Sequence, residues 1–198
     1  MRTTLIAAFA ASATLLGGCV AHHARHPGGL QTGPGGEVHA VAQLRTPDGR
    51  PGGAVRLTET SQGVLVTAQV EGLGTAGERG FHIHTSGVCA PAPDASGKMV
   101  PFGAAGGHYD PGNSSRHAGP GHAHTSTHAG DMPNIPVSAD GRGRLTHMNP
   151  NVTLSPGPRS ALGRSIVVHE KPDDMRSQPA GDSGGRVLCG IIEPASLR

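Results

Sequence analysis

The chain has 198 residues, with 16 Lys and Arg against 14 Asp and Glu, which suits one domain with little net charge. Its 32 Gly and 17 Pro indicate long loops, and with three Phe, one Tyr and no Trp the core must be mostly aliphatic. No basic cluster is interleaved with aromatic residues, which argues against nucleic-acid binding, whereas 13 His exceed what packing needs and favour metal binding.

The first residues, MRTTLIAAFAASATLLGGC, have the pattern of an export signal. Arg2 precedes an apolar run over 5–16 that is too short for a good transmembrane helix. LLGGC resembles the bacterial lipobox, in which the cysteine is lipidated and becomes the mature N-terminus. We therefore predict a lipoprotein signal peptide over 1–18, lipidation of Cys19 as the sole membrane contact, and a periplasmic or other extracytoplasmic location in the cell envelope. An ordinary secretory signal is the alternative.

Residues 19–36 are predicted to form a tether, because Gly and Pro are frequent there and no periodic apolar face is present. His22, His23 and His26 lie in this tether and are interpreted as solvated linker histidines. The folded domain is predicted over 37–198.

Cys89 and Cys189 remain as a candidate disulfide once Cys19 is assigned to the anchor, since an exported protein folds in an oxidising compartment. A bridge across so long a loop contributes on the order of 4–5 kcal/mol in the chain-entropy model. Two free buried thiols are the alternative.

Short segments of alternating polarity predict half-buried strands, with turn sequences such as TPDGRPGG between them. No segment has a convincing helical pattern. We expect an antiparallel all-β domain with a first long loop over 85–134 and a second over 170–185, both of a length that is usually functional or disordered. The predicted strands are 38–45, 54–59, 64–72, 80–84, 135–138, 144–148, 165–169 and 186–192.

The segment GFHIH places His82 and His84 two residues apart, so on a strand both side chains leave the same face. Ile83 points the other way, into a core. The segment SIVVHEKPDD ends another strand in His169, which can meet this face from a neighbouring strand. A set of three imidazoles on strands favours Cu²⁺.

The first long loop contains a second set of metal-binding residue types. His108 lies between glycines and a turn, His117 follows in RHAGP, and THAGD supplies His128 and Asp131 in H-x-x-D spacing. Three imidazoles and one carboxylate suit a four-coordinate zinc site.

The segment between His117 and His128 also contains His122 and His124. His124 competes with His128 for the role of third histidine, and we favour His128 because it alone keeps the H-x-x-D spacing. His122 and His124 are then solvent-facing residues of an insert.

The blocks GFHIH, GGHYDPG…RHAGP…HAGD, VVHEKPDD and GGRVLCGII together resemble Cu/Zn superoxide dismutase of the bacterial periplasmic type, over about residues 37–193. The resemblance implies a flattened, eight-stranded Greek-key β-barrel with long metal-binding and electrostatic loops. It also implies dismutation of superoxide to O₂ and H₂O₂ by a copper centre cycling between Cu(II) and Cu(I), with one copper and one zinc per chain. Pairing into a homodimer is possible within this family, as is a monomer.

The same resemblance assigns roles to individual residues. Asp173 would link a copper histidine to a zinc histidine, Arg186 would bind the anionic substrate, and Cys89 and Cys189 would form the intrasubunit disulfide. His108 would bridge the two ions as a catalytic imidazolate. The implied ligands are His82, His84, His108 and His169 for copper, and His108, His117, His128 and Asp131 for zinc.

One stretch departs from the pattern of eukaryotic relatives. SQPAGDSGGR has Pro179 and Ala180 near the places of a channel lysine and threonine. Substrate steering would then depend on Arg186, with Lys171 or Arg176. Two other functions compete with the enzyme: a metal-buffering lipoprotein, which needs no arginine at the copper, and a copper-delivery module, for which Met or Cys ligands are expected.

Overall fold

A computed structural model describes residues 38–195 of the chain. The predicted signal peptide, the lipidated Cys19 and the tether histidines His22, His23 and His26 lie outside these described residues. Within them, no helix is long and apolar enough to cross a membrane.

The described residues form eleven strands and one short 3-10 helix, Gly103–Ala105. All eight predicted strands are present, with ends that agree to within a few residues. The structure adds β4, β6 and β7, which sequence alternation did not predict. The strands are β1 (His39–Arg45), β2 (Pro51–Thr60), β3 (Gly63–Val70), β4 (Gly77–Arg79), β5 (Phe81–His84), β6 (Ala92–Pro93), β7 (Met99–Val100), β8 (Ile135–Val137), β9 (Gly143–Asn149), β10 (Ser165–His169) and β11 (Arg186–Pro194).

Nine strands form one sheet in the order β4-β8-β9-β3-β2-β1-β11-β10-β5. Only Gly80 separates β4 from β5 in the chain, so the two ends of the sheet are one bent strand and the sheet closes on itself. The Gly80 amide donates to the Lys171 carbonyl, and its carbonyl accepts from the His169 amide, both at 2.8 Å. Counted in this way, the described residues form the predicted eight-stranded barrel.

Two strands of the sheet pair with a strand that is distant in the chain instead of with one of their sequence neighbours. β3 pairs with β9 instead of β4, and β10 pairs with β5 and β11 instead of β9. All these pairs are antiparallel, in the Greek-key arrangement that the family resemblance implies.

The barrel interior is aliphatic, as the composition predicts. Alternate residues of β3 point inward, and Val64, Val66, Ala68 and Val70 are each at most 3% exposed. Phe81 supplies an aromatic ring to the same core cluster. The strand alternation that identified β3 is therefore the alternation between core and surface.

β5 and β10 differ from the other strands because every residue in both is buried. Their inward residues join the barrel core, for example Ile83 opposite Ile166. The outward residues of β5 are His82 and His84. His82 lies opposite Val167 of β10, and His84 follows two positions along β5. This outer face carries the histidines, and the first and second loops lie over it.

Cys89 and Cys189 form the disulfide, with Cα atoms 5.7 Å apart. The bridge joins the first loop to β11 across a sequence separation of 100 residues. Phe102, Ala105 and Val167 pack around it as a small second apolar cluster. The predicted pairing is confirmed, and it fixes part of the first loop against the outer face of the barrel.

Candidate metal centre

Neighbouring strands bring the three strand histidines together. His82 and His84 project outward from β5, and His169 ends β10 on the same side. The His82 and His169 ring centroids are 4.9 Å apart, and those of His84 and His169 are 5.4 Å apart. The H-x-H spacing predicted a shared face, and the structure shows that β10 completes it.

The first loop reaches this face by pairing with the free edge of β5. The Ile83 amide donates to the Gly130 carbonyl at 3.0 Å, and the Tyr109 amide donates to the Ile83 carbonyl at 2.8 Å. These contacts place His108 opposite His84 and Asp131 opposite His82 as isolated bridges. A Cβ at Gly130 would collide with the Ile83 carbonyl, so the close approach requires glycine in HAGD.

The loop residues surround one carboxylate oxygen. Asp131 Oδ1 lies 2.8 Å from His108 Nδ1, 3.1 Å from His117 Nδ1 and 3.5 Å from His128 Nδ1. Asp131 Oδ2 accepts a hydrogen bond from the Ala118 amide at 3.0 Å. All four side chains of this second group are buried, as a closed ion site requires.

Asp173 connects the two groups through outward-facing ring nitrogens. Its carboxylate accepts from His82 Nε2 at 2.8 Å and from His117 Nε2 at 2.9 Å. These bonds put the proton of each neutral ring on Nε2 and leave Nδ1 with a lone pair. Both Nδ1 atoms are buried; that of His82 has no hydrogen-bond partner, and that of His117 faces Asp131 Oδ1 at 3.1 Å.

His84 and His169 are oriented by backbone carbonyls instead. His84 Nδ1 donates to Gly106 O at 2.9 Å, and His169 Nδ1 contacts Gly184 O at 3.4 Å. Their Nε2 atoms then face each other at 3.3 Å. Two imidazole lone pairs so close together are stabilised by a cation.

The donor atoms fit two metal ions that share a ligand. Within each of two groups of four side chains, the ligand atoms lie within 4.8 Å of one another. His108 belongs to both, because its partnerless Nε2 faces one group while Nδ1 faces Asp131. The groups are His82, His84, His108 and His169, and His108, His117, His128 and Asp131.

Burial sets the charge states in the first group. It lowers the pKa of His82, His84 and His108 below 6.5, and neighbouring histidines lower it further in His82 and His84. Burial, His108 and Arg186 lower the pKa of His169 to about 3. These rings are therefore neutral at pH 7, the form that donates a lone pair to a metal.

The second group contains a charged network. Burial alone would raise the pKa of Asp131, but hydrogen bonds from His108, His117 and His128 lower it well below 3.8. The pKa of Asp173 is lowered in the same way, against the effect of burial, chiefly by hydrogen bonds from His117 and His82. Burial would lower the pKa of His117, but the two aspartates raise it to about 9. Both carboxylates are ionised, and they stabilise positive charge at this position.

Arg186 lies beside the first group at the start of β11. Its guanidinium donates from Nη1 to Phe102 O at 2.7 Å and from Nη2 to Gly106 O at 2.6 Å. Gly106 O also accepts from His84 Nδ1, and Arg186 is the strand partner of His169, so the guanidinium lies beside both histidines, and its charge lowers the pKa of each. Nη1 also donates to Gly103 O at 3.5 Å. Three backbone carbonyls therefore hold the half-buried guanidinium, and its remaining N–H donors are available to an anion.

His122 and His124 belong to neither group of potential metal ligands in the described part of the chain. Their backbone is held by Asn151, whose side chain accepts from the His124 amide at 3.1 Å and donates to His122 O at 2.7 Å. His122 is exposed and His124 is half-buried. Of the two candidates for the third histidine, the structure places His128 beside Asp131.

Three residues of the site were missed by sequence reasoning. The Asn134 side chain holds the backbone of Asp173, and the Gln178 side chain holds the backbone of His117. Gly181 has φ +66°, and a Cβ there would collide with the Asp173 carboxylate. A single Asn, Gln or Gly in a loop rich in such residues gives no periodic or spacing signal.

The whole arrangement is similar to that of known proteins. A family model described as copper/zinc superoxide dismutase matches residues 52–192. The chain is 44% identical over 158 residues to a Cu-Zn superoxide dismutase of Deinococcus radiodurans, covering 80% of this chain and 86% of that protein. The Cu/Zn superoxide dismutase structure from Brucella abortus matches with a TM-score of 0.68 at 34% identity, covering 78% of this chain and 99% of that one. A SOD-like protein from Bacillus subtilis matches with a TM-score of 0.65 at 30% identity, covering 76% and 96%.

Proposed function

Because the chain belongs to the copper/zinc superoxide dismutase family and is an enzyme that dismutates superoxide with copper and zinc, we propose that each ion is held by one of the two groups. His82, His84 and His169 bind copper together with His108. His117, His128 and Asp131 bind zinc together with the same His108.

The observation that carries this proposal is the position of His108. It is the one side chain common to both groups, and its two ring nitrogens face opposite ways. The buried Nδ1 atoms of His82, His117 and His128 also point inward; that of His82 has no hydrogen-bond partner, and those of His117 and His128 face only Asp131 Oδ1. Buried polar atoms without partners are costly, and coordination to metal removes that cost.

Copper supplies the one-electron chemistry, cycling between Cu(II) and Cu(I), by which two superoxide anions and two protons become O₂ and H₂O₂, while zinc supplies fixed positive charge beside the shared imidazole. The chain's residues do the rest. Asp173 holds His82 and His117 in one tautomer, and the carbonyls of Gly106 and Gly184 hold the other two rings. His108 Nε2 is the position at which a proton destined for the reduced product can be held.

Arg186 is the residue that binds the substrate in this proposal. Superoxide is a small anion, and a guanidinium held rigidly by backbone carbonyls attracts it to the copper side of the site without rearranging. A protein that only buffered metal would have no use for this arginine. Lys171 and Arg176 are both exposed on the second loop and add positive charge around it.

The test is Arg186→Ala with the metal-loaded protein. We expect kcat/KM for superoxide to fall by about 10-fold or more, since positive charge at a site raises the association rate by such factors. Copper per chain, measured by atomic absorption, should stay unchanged because Arg186 is not a ligand. Arg186→Lys keeps the charge and should retain part of the activity. A wild-type rate in Arg186→Ala would contradict the substrate-binding role.

The same proposal includes a location outside the cytoplasm. The disulfide between Cys89 and Cys189 supports it, because such bonds persist in oxidising compartments. The signal pattern before Cys19 supports export to the cell envelope with lipid attachment at that cysteine.

A further inference from the structure

The side chain of Gln178 binds the backbone of His117 as a strand partner would. Gln178 Oε1 accepts from the His117 amide at 2.7 Å, and Gln178 Nε2 donates to the His117 carbonyl at 2.7 Å. One primary amide thus satisfies both backbone groups of one residue across 61 positions of sequence.

The contact continues along the two loops. The Gly119 amide donates to Met175 O at 3.2 Å, two residues beyond His117. The Met175 amide in turn donates to Asp173 Oδ1 at 2.7 Å, the same oxygen that accepts from His117 Nε2. The second loop therefore holds His117 at its ring through Asp173 and at its backbone through Gln178.

Asn134 provides a natural comparison. Its side-chain amide makes the same reciprocal pair with the backbone of Asp173, at 2.9 and 2.8 Å. Asp173 contacts His82 as well as His117, so Asn134 influences both metal groups. Gln178 contacts His117 and its own loop at Arg176 O, and no residue of the copper group.

We propose that Gln178 is a positioning residue for zinc: it fixes the backbone of His117, and so connects the order of the second loop to the zinc site. This inference rests on the proposed ligand sets. Residues that orient a metal ligand typically change metal affinity 10- to 100-fold when they are replaced. Because the Gln178 residue is exposed and its bonds compete with water, we expect a value at the lower end.

The experiment measures zinc and copper affinity separately in Gln178→Ala and Gln178→Glu. Zinc affinity, from competition with a chelator, should fall about 10-fold in both variants, since the carboxylate of Glu cannot donate to His117 O. Copper affinity should change less than about 2-fold. Co²⁺ placed in the zinc site should show altered d–d bands. Gln69→Ala, at an exposed glutamine of β3, is the matched control and should behave as wild type.

The second variant in this experiment is Asn134→Ala, which should weaken the binding of both zinc and copper. Unchanged zinc affinity and unchanged Co²⁺ bands in Gln178→Ala would overturn the inference. So would an equal loss of zinc and copper in Gln178→Ala, because that is the result of general loosening of the loops. If wild-type protein fails to bind Co²⁺ with tetrahedral bands, the ligand assignment itself is wrong, a failure distinct from that of Gln178.

Discussion

Individual histidines in this chain differ in what their two ring nitrogens contact. His82 and His117 use Nε2 for Asp173, whereas His84 uses Nδ1 for Gly106 O. In each case the remaining nitrogen faces the interior of a group. A histidine is therefore a candidate ligand when one nitrogen has a fixed acceptor and the other is buried without one.

Burial and position separate His128 from His124, because His128 Nδ1 is buried without a hydrogen-bond partner inside the second group and His124 belongs to neither group. We expect His128→Ala to lose zinc, because His128 Nδ1 lies 3.5 Å from Asp131 Oδ1 inside the second group. Its zinc affinity should fall by more than the 10- to 100-fold typical of an orienting partner. Zinc content after dialysis, measured by mass spectrometry of metals, checks this.

His124→Ala is the matched control for that measurement. His124 lies outside both groups, and its contact with Asn151 is made through its backbone amide, which the substitution keeps. Zinc content should remain at one per chain. Loss of zinc in His124→Ala with retention in His128→Ala would reverse the assignment.

Strands and loops were predictable from sequence to different degrees. Strands of the barrel show period-two alternation where one face packs in the core and the other faces outward, as in β1 and β3. β6 and β7 are two residues each and have no room for a pattern, and β4 continues into β5 only through Gly80. Their pairing is decided by the loop and barrel around them.

The candidate ligands of the site were predictable from sequence, whereas the residues that hold them in place were not. H-x-H and H-x-x-D spacing pointed to two sets of ligands, and the family resemblance joined them through His108. Neither could give the contacts of Gln178 and Asn134, because these join positions 61 and 39 residues apart. Such contacts depend on how the two loops pack, which local sequence does not encode.

The disulfide is the covalent connection between the first loop and β11. Replacing both Cys89 and Cys189 by Ser should lower the free energy of unfolding by about 4–5 kcal/mol, since the unfolded chain regains the freedom of a loop of that length. Guanidinium unfolding of the metal-free protein measures this. Wild-type protein with a reducing agent should match the variant, and the variant should not respond to the reducing agent. Equal stability of oxidised wild type and variant would contradict the expectation.

The whole molecule carries a formal net charge of +2, too small to attract an anion over long distances. At physiological salt the screening length is about 8 Å, so exposed charges act only near the site. We therefore expect substrate capture to depend on Arg186 and the nearest basic residues of the second loop.

Location is also a property of the whole chain. If Cys19 carries the lipid, Cys19→Ser should move the protein from the membrane fraction to the soluble fraction of the envelope, because one hydrophobic anchor is removed. Fractionation followed by immunoblotting measures this, with superoxide dismutation in the soluble fraction as the control for folding. Retention of the variant in the membrane fraction would rule out lipid attachment at Cys19.

The single residue between β4 and β5 has a consequence for how copies of the protein behave together. An open sheet presents a row of unsatisfied amides and carbonyls that can recruit a strand from another molecule. Here the terminal segments of the sheet are three and four residues long, they are joined through Gly80, and the outer side of β5 is already paired with 107–109 and 130. The described barrel thus offers no long free edge for intermolecular β-pairing.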